Sequence, residues 1–191
     1  MLKKSTFFIF SYFLLLTSCG YTLQGINNPL KEKAGIEKIY IAPTENNTYE
    51  TSIETIVFNH LIKKIASQKR VQIVKNPKHA DATLKSSVYL CSYKTEAKTP
   101  ASKLTGGTGR SDISVATVYL ASLGSSFSLI KNDKTIWSRS INKRKSFQAN
   151  NQLGALGSTS HLINQSEFYK ALEDLSSSMM DQVHESMLAM F

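Results

Sequence analysis

The chain has 191 residues, with 23 Lys and Arg against 14 Asp and Glu, a formal charge of +9 and 41% hydrophobic residues. That length suits one domain around one core, and the composition is globular, not disordered. Two cysteines, Cys19 and Cys91, exclude a disulfide framework and a thiol-rich metal site, and His60, His79, His161 and His184 are too scattered for ligand spacing.

Met1–Lys4 make a short basic start, and Phe7–Leu16 an apolar run broken only by Ser11 and Tyr12. The run reads as a secretory signal peptide and not as a spanning helix, which needs roughly 18–20 apolar residues. Leu16-Thr17-Ser18-Cys19 has the spacing of a bacterial lipobox: an aliphatic residue, two small residues and the cysteine that receives lipid. Small residues suit a peptidase groove that must admit backbone beside the thiol. Cleavage is expected between Ser18 and Cys19, with Cys19 carrying a diacylglyceryl group and an amide-linked chain such as palmitate, because stable anchoring takes more than one acyl chain. Removing 18 of the 191 residues leaves 173, and loss of Lys3 and Lys4 lowers the formal charge from +9 to +7. Gly20, not Asp, follows Cys19, so the usual inner-membrane retention signal is missing. The expected address is the periplasmic side of the outer membrane. Residues 1–18 are thus read as signal peptide and 19–191 as one domain, with 19–36 a lipidated tether.

Glu37–Pro43 alternates with period two and stops at a proline, so it predicts a strand. Asn47-Thr48-Tyr49-Glu50 resembles a capping box, and Ile53, Ile56, Val57, Leu61 and Ile65 follow at helical spacing. A helix is expected from about Tyr49 to Gln68. Arg70–Lys75 predicts a short strand, Asn76-Pro77 a turn, and Ala82–Ala97 a longer strand whose even positions (Ala82, Leu84, Ser86, Val88, Leu90) form the core face. Thr99–Ser111 holds Pro100, Gly106, Gly107 and Gly109 and reads as a flexible connection. Ile113–Lys131 predicts a strand bent at Gly124-Ser125-Ser126, and Asn132-Asp133 a hairpin turn into Lys134–Phe147. After a glycine-containing loop, Phe168, Leu172, Leu175, Met179, Val183, Met187 and Met190 predict an amphipathic helix from about Glu167 to the end. The sum is an α+β two-layer sandwich, two helices packed on a mostly antiparallel sheet of four to five strands.

The motifs that suggest chemistry are mostly better explained as structure. Thr105–Arg110 lacks the Gly-Lys-Ser/Thr ending of a phosphate loop and precedes a strand. Gly157–His161 lacks a nucleophile elbow, so no triad is assigned. Cys91 reads as a small packed residue. Neither a metal nor another cofactor is implied, and a non-enzymatic protein with no nucleic-acid partner is expected. Two features remain. The odd face of the long strand, with Tyr89 and Tyr93, is a candidate partner surface if helices cover only one side of the sheet. In Trp137–Phe147, period two puts Trp137, Arg139, Ile141, Lys143, Lys145 and Phe147 on one side, mixing cations with apolar groups. Such a mixture suits a ligand that carries phosphates and acyl chains. Arg139, Lys143, Arg144 and Lys145, joined by Lys103 and Arg110 on the glycine-rich connection, are the candidate contacts.

The lipobox followed by Gly20-Tyr21-Thr22-Leu23-Gln24-Gly25 resembles the opening of the LptE family of lipopolysaccharide-assembly lipoproteins. The likeness runs on through Ile39-Tyr40-Ile41, Asn46-Asn47-Thr48, Ala80-Asp81-Ala82-Thr83-Leu84, Thr135-Ile136-Trp137 and the final helix. It implies two helices on a four-stranded sheet, an LptD-like outer-membrane β-barrel as partner, and lipopolysaccharide as ligand. It also implies roles in plugging that barrel, helping it assemble, and delivering lipopolysaccharide to the outer leaflet. The Ala-Asp-Ala strand start occurs in other envelope lipoproteins too. The alternative is therefore a periplasmic assembly or activator lipoprotein for a secretion channel or a cell-wall synthase.

Overall fold

The computed structural model of the protein describes residues 28–104, 112, 114–149 and 159–191. Cys19, Ser18 and Arg110 therefore lie outside the described residues, as do the expected signal peptide and most of the tether.

A short helix α1 (Pro29–Glu32) opens the described chain, its proline in the first turn where the missing amide costs nothing. Leu30 and Ile36 are 1% and 0% exposed, so the stretch read from sequence as the end of the tether already contributes two side chains to the core. Strand β1 (Lys38–Ile41) buries Ile39 and Ile41, as its period-two pattern requires. The two-residue strand β2 (Glu45–Asn46) follows, then helix α2 (Ile53–Gln68), which buries Ile53, Val57, Leu61 and Ile65 at four-residue spacing. Strand β3 (Gln72–Val74), a 3₁₀ turn at Pro77–His79 and the long strand β4 (Ala82–Pro100) complete the first half. Helix α3 (Ala101–Leu104), strands β5 (Ser114–Lys131) and β6 (Lys134–Gln148), and helix α4 (Thr159–Ala189) complete the second.

The sheet order is β3-β1-β4-β5-β6, with β2 also paired to β4. Six strands and mixed pairing correct the expected four or five mostly antiparallel strands. β1 runs parallel to both β3 and β4, and β2 parallel to β4. Parallel neighbours cannot be joined by a tight turn, and α2 supplies the crossover between β1–β2 and β3. The antiparallel part is the β4–β5–β6 meander. Its second turn, Asn132-Asp133, has φ of 49° and 58°, the doubly left-handed conformation of a two-residue hairpin.

The two long helices touch each other; α4 lies on β5 and β6, and α2 on β2, β3 and β4. Between helices and sheet sits one cluster that includes Leu84, Val88, Leu123, Leu129, Trp137, Leu172, Met179 and Val183. The Met-rich stripe of α4 is core, as its spacing predicts. Its helix begins at Thr159, earlier than the apolar pattern indicated.

The expected capping box does not form. Ser52 precedes α2 in a left-handed conformation (φ 68°) and makes no side-chain cap. Instead Asn46, held on the sheet by β2, donates to the Glu50 carbonyl and to Glu54 Oε2, both at 2.8 Å, while its Oδ1 accepts from the Thr48 amide. Pairing of β2 with β4 places the organising asparagine one residue earlier than the sequence pattern suggested.

Candidate functional site: the basic edge strand and its aromatic neighbours

Strand β6 is an edge of the sheet, and its alternation divides the candidate cations. Trp137, Ile141 and Phe147 are buried, so odd positions face the helices. Arg139, Lys143 and Lys145 share that side, Lys143 about 13 Å from Arg139 and about 7 Å from Lys145 along the strand. Arg144 is exposed on the opposite side, across from Ser122 of β5. Lys145 pairs with Asp174 of α4. That hydrogen bond, then the charges of Lys145, Lys170 and His60, hold the Asp174 carboxyl below its ordinary range. Among the described residues, neither Arg139 nor Lys143 has a carboxylate within ion-pair distance. Charge on an edge strand also discourages pairing with another chain, so these residues serve the fold whatever else they do. Lys103 is exposed on α3, at the far end of β4.

The candidate tyrosines do not share a face. The β4–β5 register shifts between Val88 and Leu90. Before the shift the even residues Leu84, Ser86 and Val88 are buried; after it the odd residues turn inward. Cys91 packs half-buried on the core, and Tyr93 meets Phe168 of α4 with ring centroids 4.7 Å apart. Tyr89 stays on the side away from the helices, donating to Asn142 Oδ1 at 3.0 Å. The expectation of one odd face carrying both tyrosines fails because the bulge inverts the alternation. Gly124 of β5 pairs with Leu90 at this point. A Cβ there would lie 2.3 Å from Asn142 Oδ1, 2.9 Å from the Tyr89 ring and 3.0 Å from Leu90 Cβ. Only a glycine lets the tyrosine and asparagine close over the strand.

Beyond the bulge the interior becomes aromatic. Tyr93, Tyr119, Phe147 and Phe168 make edge or tilted contacts at centroid distances of 4.7–6.3 Å. Tyr169 donates to Glu50 Oε1 at 2.7 Å, and this bond, more than burial, raises its phenol. Burial, and secondarily the Glu50 charge, push the Cys91 thiol up to about 12. A thiol that stays protonated is a packing group and a poor nucleophile. Among the described residues no three His, Cys, Asp or Glu side chains converge as metal ligands. The arrangement offers charge, hydrogen bonds and aromatic surface, which are means of binding.

Sequence reasoning missed the Gly124 crossing and the Glu50–Tyr169 link. A glycine inside a strand was the available signal for the first; the second joins residues 119 positions apart and leaves no local mark.

No family model and no curated protein matches the chain. Solved structures do resemble it. An uncharacterized lipoprotein B from Nitrosomonas europaea superposes with a TM-score of 0.52 at 12% identity, over 81% of this chain and 83% of that one. A Xanthomonas campestris protein from a family of unknown function has a TM-score of 0.52 at 7% identity, over 81% and 85%. A hypothetical protein from Chlamydia trachomatis has a TM-score of 0.50 at 8% identity, over 80% and 98%. At these identities the likeness is one of fold.

Proposed function

We propose that the chain is a lipid-anchored envelope protein of LptE-like function. In this reading it is the non-enzymatic subunit that plugs and helps assemble an LptD-like outer-membrane barrel and binds lipopolysaccharide for delivery to the outer leaflet. The observation that carries the reading is the Leu16-Thr17-Ser18-Cys19-Gly20-Tyr21 opening joined to a domain in which two long helices pack on a long sheet. Support also comes from the shared fold of a protein described as lipoprotein B. In this reading the sandwich has two layers, and the sheet face left without helices is available to a barrel wall.

Lipopolysaccharide phosphates would meet Arg139 and Lys143 first, with Lys145 shared between Asp174 and ligand; Lys103, Arg110 and Arg144 are the other proposed contacts. Each exposed contact contributes about 1 kcal/mol or less, so the set matters more than any member. The test is affinity purification of the acylated chain from outer membranes. Recovery of a large barrel together with lipopolysaccharide is expected; recovery of a secretin or a cell-wall synthase instead would overturn the proposal.

A further inference from the structure

The chain has a second cationic region, at the opposite end of the sheet from Lys103. The parallel strands β1, β3 and β4 start there, and the β5–β6 turn returns there. Residues 28–38, 69–70, 77–81 and 131–134 together hold eight Lys or Arg against four Asp or Glu. Two of the acids are already engaged. Glu37 pairs with Lys31 at 3.1 Å, and Asp81 Oδ2 accepts from the amides of Glu37 and Lys38 at 2.9 and 2.8 Å. Lys31, Lys69 and Arg70 line an open groove of about 530 Å³ beside Glu37 and Ile73.

The described chain also begins at this end. Asn28 Nδ2 donates to the Arg70 carbonyl at 2.5 Å, which ties the first described residue to the rim of the groove. Eight residues lie between Cys19 and Asn28, so the nine steps reach at most about 32 Å when fully extended. The far end of the 19-residue strand β4 lies roughly 60 Å further on. Screening at physiological salt limits attraction between exposed charges to about 8 Å. An anchor at Cys19 thus keeps one basic end within reach of the membrane whatever the tilt of the domain, a constraint that the other end does not share.

We propose that this end is a membrane-docking surface, and that its partner is the anionic phospholipid headgroup layer of the leaflet holding the anchor. The inference rests on the lipid-anchor reading above and goes beyond it. The acyl chains hold the protein on the bilayer; Lys31, Lys33, Lys69 and Lys134 orient it, with headgroup phosphates against the groove. Juxtamembrane cations are attracted to anionic lipid in this way within a Debye length.

The test uses the full acylated chain purified from membranes and inserted into the outer leaflet of phosphatidylcholine vesicles, with and without phosphatidylglycerol. A membrane-impermeant amine reagent then labels the lysines, and mass spectrometry reads each site. With phosphatidylglycerol present, labelling of Lys31, Lys33, Lys69 and Lys134 should slow several-fold and recover at high salt, while Lys94, Lys98 and Lys103 stay unchanged. A chain that floats with neutral vesicles but labels identically on both overturns this proposal alone. A chain that does not float with neutral vesicles overturns the anchor reading and this one with it.

Discussion

The two ends of the sheet are both basic, yet they are built differently. At the near end, short strands and two helices enclose aliphatic side chains such as Ile39, Leu61 and Leu84, all 0% exposed. Some polar groups there act as braces: Lys131 Nζ donates to the carbonyls of Ala34 and Gly35 at 2.6 and 3.0 Å, and Asp81 holds the start of β1. Beyond the β4 bulge, α4 is the long helix that continues over the meander, and the interior is a partly open aromatic cluster in which Tyr93 is 46% exposed. Basic charge therefore has different consequences at the two ends. Near-end cations surround a sealed core, whereas Arg139, level with Ser86, and Lys143, just past the bulge, are displayed along an edge strand beside large apolar groups. A sealed end suits docking as a rigid block; an open ribbon suits a ligand with both phosphate and hydrocarbon.

The comparison predicts unequal costs of truncation. Leu84→Ala should lower global stability by about 2–5 kcal/mol, the usual loss for emptying a buried leucine site. Tyr93→Ala should cost less, since each aromatic pair adds about 0.5–1.5 kcal/mol and the ring is half in solvent. Urea unfolding of both variants checks the order, and equal losses would erase the distinction between sealed and open ends.

Gly124 marks the boundary. Gly124→Ala should destabilise by about 1–3 kcal/mol, the usual range for forcing extra volume into a packed site. Asn142→Ala in the same chain should recover part of that loss by removing the closest contact, while the Leu90 contact remains. A Gly124→Ala variant as stable as the parent would show that Tyr89 does not lie over the strand.

The smallest effect concerns His184 near the sealed end. Burial, then the charges of Lys64 and Arg70, lower its pKa below 6.5, while Glu185 and Asp181 oppose the shift. A lowered value means the unfolded chain binds the proton more readily than the folded one. The stabilising contribution is therefore complete above pH 6.5 and is lost as pH falls through the depressed folded value. Stability measured at pH 7.5 and 5 should fall more in the parent than in His184→Gln; identical slopes would place the imidazole in solvent.

Much of this was legible in the residues. Alternation located β1, β4, β5 and β6, Asn132-Asp133 located their last turn, and four-residue spacing located both long helices. Period two also separated Arg144 from Lys143 and Lys145, a division that grouping the basic residues by proximity overlooked. The bulge after Val88 was not legible, because it depends on space above Gly124 in another strand. Nor was β2, whose two residues carry no pattern of their own and are fixed by pairing with Ser87 and Val88. The docking end was hidden for the same reason: its cations come from segments of the sequence that only the parallel pairing gathers.

The most direct test places a photoreactive amino acid at position 143 or position 69 of the full chain in living cells. The account predicts lipopolysaccharide adducts from position 143 and phospholipid adducts from position 69. Lipopolysaccharide captured equally at both, or at 69 alone, would contradict it.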